Sequence, residues 1–136
     1  ICRRLGLQNV RPFGGVGKTS RLRAPVRRDA FCRRVREKIH PRQFLAWDFG
    51  PATVCSVAVV SGAGTAALQE ASRQGIDMFV TGEPSLSAYN VARDCGMNVV
   101  FAGHYATEVF GVCALAGMIR KRFGIRAEFV DLQVPY

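Results

Sequence analysis

Acidic side chains are scarce in this chain: 10 Asp and Glu stand against 19 Lys and Arg in 136 residues, for a formal net charge of +9. Charged residues of either sign reach only 21%, against 49% hydrophobic, which makes disorder not the default and leaves enough apolar surface for one packed domain. Long apolar runs are missing. None reaches the roughly 18–20 residues of a membrane helix, and the most apolar stretch, residues 109–119, is broken by Gly111 and Gly117. Paired cysteines are missing too. Cys2, Cys32, Cys55, Cys95 and Cys113 are odd in number and contain no C-x-x-C. This excludes a disulfide framework, and it fits reduced, mostly buried thiols in a cytoplasmic protein better than a zinc ribbon. There is no glycine repeat of the collagen kind. Ile1 stands where a methionine would start a chain, so the expectation is a portion of a longer protein.

The positive charge is concentrated. Residues 1–42 hold 13 Lys and Arg against 2 acids, whereas residues 43–136 hold 6 against 8. Arg3, Arg4, Arg27, Arg28, Arg33, Arg34, Arg36 and Lys38 supply most of it. A helix at Arg28–Ile39, with Ala30, Phe31, Val35 and Ile39 on an apolar face, would carry the charge on its solvated side. No aromatic interleaving and no nucleic-acid motif accompanies these arginines, so nucleic acid is not the expected partner. A non-enzymatic protein holding an acidic partner on this segment is one alternative function.

Regular patterning begins at Thr53. Residues 53–60 form a β-branched run ended by the turn Ser61-Gly62-Ala63-Gly64. A helix over residues 65–74 stops at Gly75, a strand over 77–81 closes at Gly82, and Ser85 caps a helix that runs to Cys95. A third strand over 98–102 leads through Gly103 into a long helix from His104 to Phe123, whose last turn Arg120-Lys121-Arg122 suits a helix C-terminus. A fourth strand is expected over 126–132, with Pro135 marking its end. The alternation implies an α/β fold with a mostly parallel sheet covered by helices in three layers. Residues 1–52, punctuated by Pro12, Gly14, Gly15, Gly17, Pro25 and Pro41, read as a basic connector, a turn and one helix; residues 53–136 read as the α/β part. Ligands of such sheets sit beyond the C-terminal strand ends. Three of those ends, Ser61–Gly64, Thr81–Glu83 and Gly103–Glu108, should face one pocket.

Two phosphate motifs fail or stay open. Gly14-Gly15-Val16-Gly17-Lys18-Thr19 resembles the end of a phosphate loop, but Pro12 stands where its first glycine belongs, and Pro25 interrupts any helix after Thr19. Gly62-x-Gly64-x-x-Ala67 fits the relaxed dinucleotide fingerprint, with Glu83 21 positions after Gly62. A nucleotide-binding module is therefore the second alternative function. His104 and Glu108, at i and i+4, share one helix face and suit a divalent metal. Two protein ligands do not close a site. The other histidine, His40, precedes Pro41 and reads as a surface residue.

The set Val57–Ser61 with Gly62 and Gly64, then Thr81-Gly82-Glu83, Ala102-Gly103-His104-Tyr105-Ala106-Thr107-Glu108 and Phe110-Gly111-Val112, resembles the Nif-three-like family. These are dinuclear-metal-centre proteins known as GTP cyclohydrolase I type 2 homologues. The likeness covers residues 53–136 closely and residues 1–52 more loosely. Members are about twice this length, so the resemblance implies half of a three-layer subunit. It implies His104 and Glu108 as the last two ligands of a metal pair (zinc, manganese or iron). The first-half ligands have no counterpart here. The resemblance also implies metal-assisted hydrolysis in the whole protein, a ring-shaped homohexamer, and an inactive isolated chain. Glu83, at a strand end, is the expected catalytic contributor, orienting substrate or a neighbouring ligand. Where relatives often place histidines after Thr-Gly-Glu, this chain has Leu86, Ser87 and Asn90.

Overall fold

A computed structural model describes residues 1–132. Its six strands are β1 Arg11–Phe13, β2 Gly17–Arg27, β3 Leu45–Asp48, β4 Thr53–Val59, β5 Met78–Thr81 and β6 Asn98–Phe101. Its helices are α1 Arg28–Ile39, α2 Leu68–Arg73 (entered through a 3-10 turn at Gly64–Ala67), α3 Leu86–Asp94 and α4 His104–Phe123. All strands join one sheet in the order β1-β2-β4-β5-β6-β3.

The centre of the sheet is parallel, as the alternation of strand and helix requires. β4 pairs with β5 at Val57↔Met78, and β5 with β6 at Met78↔Asn98. Period-2 alternation then sorts side chains onto two faces. Val57, Val59, Met78, Val80, Val100 and Ala102 face Phe31, Val35 and Ile39 of α1, with Ala106 and Phe110 of α4 packed beside them. Ala58, Val60, Phe79, Val99 and Phe101 face Leu68 and Ala71 of α2 and Ala88 and Ala92 of α3. The result is three layers, with α1 and the start of α4 on one side and α2 and α3 on the other.

The sheet has antiparallel flanks that the sequence pattern did not reveal. Residues read as connector and turn form β1, β2 and β3. β1 and β2 make a hairpin on β4, and β3 pairs antiparallel with β6 on the far side. The glycine-rich stretch is the hairpin turn itself, with Gly14 and Gly15 at φ +52° and +76°. Lys18 and Thr19 lie in β2, so no helix follows the phosphate-loop-like motif. Residues 126–132 form no strand, which corrects the expected fourth strand; β6, the neighbour such a strand would need, already has β5 and β3 on its two sides. Pro135 lies outside the described residues.

The predicted helices α1 and α4 have the expected bounds, and Ser85 caps α3 by accepting from the Ala88 N–H at 3.2 Å. The cysteines are unpaired, as expected, but not mostly buried: Cys2, Cys32 and Cys55 are half-buried, while Cys95 and Cys113 are exposed. Part of the basic charge is consumed locally. Arg27 and Arg33 both pair with Asp29, and Arg28 pairs with Asp48. The Arg27 hydrogen bond holds the Asp29 carboxyl down to about 2. Among the described residues no helix is long and apolar enough to cross a membrane.

Candidate metal half-site at the strand ends

The three glycine-bounded strand ends meet at one edge of the sheet. Gly82 donates its N–H to the Gly62 carbonyl at 2.9 Å, which joins the turns after β4 and β5 directly. Two buried threonines complete the junction. Thr81 Oγ1 donates to the Gly62 carbonyl and accepts from the Gly64 N–H, each at 3.1 Å. Thr107 Oγ1 accepts from the Gly62 N–H and donates to the His104 carbonyl, each at 2.9 Å. Each hydroxyl satisfies backbone groups that would otherwise be buried without partners. Neither role is readable from residue type. A threonine in an apolar strand or helix is equally well a β-branched packing residue.

Onto this frame α4 projects His104 and Glu108. His104 Nε2 lies 3.2 Å from Glu108 Oε1, and Nδ1 lies 2.9 Å from Glu83 Oε2. One imidazole is thus held between two carboxylates, Glu83 from the end of β5 and Glu108 from one helical turn later. The hydrogen bond to Glu83, reinforced by the charge of Glu108, raises the His104 pKa above its ordinary value. All three predicted site residues are brought together. The two carboxylates meet different ring nitrogens, so the three side chains do not converge on one point. Among the described residues no group of three His, Cys, Asp or Glu side chains is arranged to hold a metal ion. Asp131 is not drawn in, since it accepts from the Tyr105 hydroxyl at 2.7 Å.

The geometry argues against the dinucleotide reading of Gly62 and Gly64. A Cβ at Gly62 (φ +64°) would overlap Glu108 Oε1 and lie 3.0 Å from His104 Nε2. The face of the turn that would meet a pyrophosphate is therefore filled by a carboxylate. Gly64 is required for packing, because a Cβ there would lie 2.6 Å from Val60 Cβ and 2.7 Å from Thr81 Oγ1.

A cavity of about 290 Å³ opens beside Glu83 and His104, walled by Phe44, Leu45, Pro84 and Phe101. A second, of about 210 Å³, shares Gln43 and Gly103 with it and is lined by Arg42, Tyr105 and Phe129 among others. Both owe a wall to the segment that leaves α1 and enters β3, part of the stretch read from sequence as a connector.

Comparison with known proteins identifies the family and the fold. The chain is 38% identical over 133 residues to the GTP cyclohydrolase 1 type 2 homolog of Archaeoglobus fulgidus, covering 97% of this chain and 54% of that protein. It is 37% identical over 136 residues to the protein of the same name from Deinococcus radiodurans, covering 96% and 51%. Among solved structures, protein ybgI, of unknown function, superposes with a TM-score of 0.90 at 28% identity over 99% of this chain and 55% of that one. TTHA1606 from Thermus thermophilus gives 0.86 at 35% identity, over 99% and 54%. The chain thus spans about half the length of the relatives it matches. The model of Duf34/NIF3 (NGG1p interacting factor 3) matches residues 1–134, and the chain belongs to that family.

Proposed function

We infer that this chain carries the C-terminal half of a divalent-metal site, and that the site serves metal-assisted hydrolysis in a longer protein. The observation that carries the reading is the pair His104 Nε2 and Glu108 Oε1, 3.2 Å apart. When the ring is neutral with its proton on Nδ1 toward Glu83, Nε2 presents a lone pair to a carboxylate oxygen. Two acceptors at that distance require a cation between them, either a proton or a metal. The donor set, one imidazole and one carboxylate, suits zinc, manganese or iron. Glu83 would fix the ring's tautomer and raise its basicity, the role of a carboxylate behind a ligating histidine. A bound metal pair would activate water and polarise the substrate. The remaining ligands would come from outside this chain, in keeping with relatives of about twice its length. The cavity beside Glu83 would admit substrate to the same edge.

Calorimetry with zinc and with manganese on the purified chain tests this. Weak binding is expected, lost in His104→Ala and weakened about tenfold in Glu83→Gln. Affinity should rise with pH above the ordinary histidine range, because the raised pKa keeps a proton on the ring that the metal must displace. Sub-micromolar binding lost in both His104→Ala and Glu108→Ala would show a site completed within this chain, contrary to the reading. No binding at any pH would remove it.

Self-association is proposed as well. Beyond Phe110, α4 carries few contacts to the core of the sheet. Val112, Leu115, Met118 and Phe123 are each more than half exposed along it. An uncovered apolar stripe of this kind marks an association surface. Light scattering should show concentration-dependent association that Leu115→Lys with Met118→Lys abolishes; a monomer at millimolar concentration would refute it. The five unpaired cysteines fit a reducing compartment, and the cytoplasm is the proposed location.

A further inference from the structure

A cavity of about 560 Å³ lies away from the metal half-site, between the β1–β2 hairpin and the turn that joins α2 to β5. Strand register explains what lines it. Arg11 on β1 opposes Thr19 on β2, Thr19 opposes Ala58 on β4, and Arg21 opposes Ser56. Partners across a ladder, and residues two apart along a strand, share a sheet face. Arg11, Thr19, Arg21 and Ser56 therefore all stand on the face that Ala58 shares with α2. Arg11 and Arg21 are diagonal neighbours, about 7–8 Å apart by ladder geometry and somewhat less between Cβ atoms. Asn9 lines the same cleft, and Gln74 and Gly75 form its far wall.

The charges there are unbalanced. Neither arginine forms an ion pair among the described residues. Of the nearby carboxylates, Glu70 is paired with an arginine, and Asp77 is hydrogen-bonded to neutral donors at the Ser56 wall, where it keeps its single charge against the two arginines. Asp77 Oδ2 accepts from the Cys55 and Ser56 N–H groups and from Ser56 Oγ, each at 2.9 Å. Glu70 pairs with Arg73 at 3.1 Å and accepts from Gln74. The hydroxyls are also spent, Thr19 donating to the Val57 carbonyl and Ser20 to that of Gln8. The donors that line the cleft without a partner among the described residues include the guanidinium groups of Arg11 and Arg21 and the Asn9 amide. Planar guanidinium forks match the oxygens of a phosphate, and the volume falls in the range of small-molecule sites, larger than a bare anion requires.

We propose that this cleft binds the phosphate group of a small phosphorylated molecule, held by Arg11 and Arg21. The site is independent of the metal reading, since it shares no residue with His104, Glu83 or Glu108.

Calorimetry on the purified chain at physiological salt, with adenosine monophosphate as probe and inorganic phosphate as competitor, tests the proposal. Saturable binding is expected, displaced by phosphate. Arg11→Gln and Arg21→Gln should each weaken it about tenfold, the value of one charge-assisted contact. Arg23→Gln, an exposed cation on the same strand that does not line the cleft, should change it less than about twofold. His104→Ala should leave it unchanged. Thermal melts confirm that the variants fold, as substitutions of exposed side chains should. Absence of saturation would overturn the proposal. So would an equal loss in Arg23→Gln, which would mean diffuse attraction to a basic surface, or a loss in His104→Ala, which would place the probe at the other edge of the sheet.

Discussion

Gly82→Ala should be the most damaging single-methyl substitution at the strand ends. A Cβ at Gly82 would lie 2.6 Å from the Gly62 carbonyl oxygen, 2.8 Å from His104 Cα and 3.0 Å from Gly62 Cα. All three atoms are backbone, so no rotamer change relieves the overlap. The turn after β4 cannot retreat alone, because Thr81 and Thr107 bond it to β5 and α4. The added methyl must spread three loops at once. Overpacking of this kind costs about 1–3 kcal/mol, and immobile neighbours place this case at the upper end. For a domain of this size that is a fall in Tm of roughly 10 °C. Because one of the displaced atoms is His104 Cα, the proposed metal affinity should fall with stability. Gly111→Ala serves as the contrast. A Cβ there meets nothing within 4 Å inside α4, so it should stabilise by roughly 0.5–1 kcal/mol. Urea unfolding of the two variants checks the pair. Equal stabilities would mean that the strand ends are loosely packed.

The second large effect is expected at the opposite end of the sheet. Asn98, fully buried at the start of β6, uses its whole amide. Oδ1 accepts from the Gly50 N–H at 3.0 Å and from Arg28 Nη1 at 3.4 Å. Nδ2 donates to the Pro51 carbonyl at 2.8 Å and to the Asp77 carbonyl at 3.0 Å. One side chain thereby joins the entry to β4, the entry to β5 and the first residue of α1. Asn98→Ala strands three backbone groups, at about 1–3 kcal/mol for each that finds no water, and a loss of roughly 3–5 kcal/mol is expected in urea unfolding. Asn98→Asp should not rescue it. It keeps the acceptor but turns a second oxygen toward two carbonyls. A loss below about 1 kcal/mol in Asn98→Ala would show that solvent replaces the amide.

How far the fold was legible depended on where each element sits. α1 and α4 have the predicted bounds because an αL or glycine cap ends each one, His40 and Gly124. The central strands announce themselves as continuous apolar runs, being covered on both faces. The flanking strands do not. In β2, Lys18, Arg21, Arg23 and Arg27 are exposed and Pro25 falls where the ladder to β4 slips, so only Leu22 and Val26 hint at a core face. β3 is no shorter than β5 or β6, but it is an edge strand with mostly exposed residues and lacks their continuous apolar run. The error over residues 126–132 has the opposite cause. Ala127 and Phe129 alternate with exposed residues as a strand would, but a strand needs a neighbour, and sequence pattern carries no record of which edges are free. His104 and Glu108 were legible because i, i+4 spacing on a helix is geometry. The closing of Glu83 onto the far side of the same ring depends on β5 and β6 lying side by side, a long-range fact.

The placement of β3 has a consequence for synthesis. β3 precedes β4 in the chain yet pairs only with β6, at Leu45↔Phe101 through Asp48↔Asn98. On a ribosome, its partner emerges about 50 residues later, a delay of several seconds at ordinary translation speeds. Throughout that interval Leu45 and Trp47 of β3 lack their partner strand, although β4 emerges soon after β3 and can already pair with β2. The nascent chain therefore carries a short aromatic segment in waiting, and co-translational protection, rather than the stability of the finished sheet, should set how much of the protein reaches its native form.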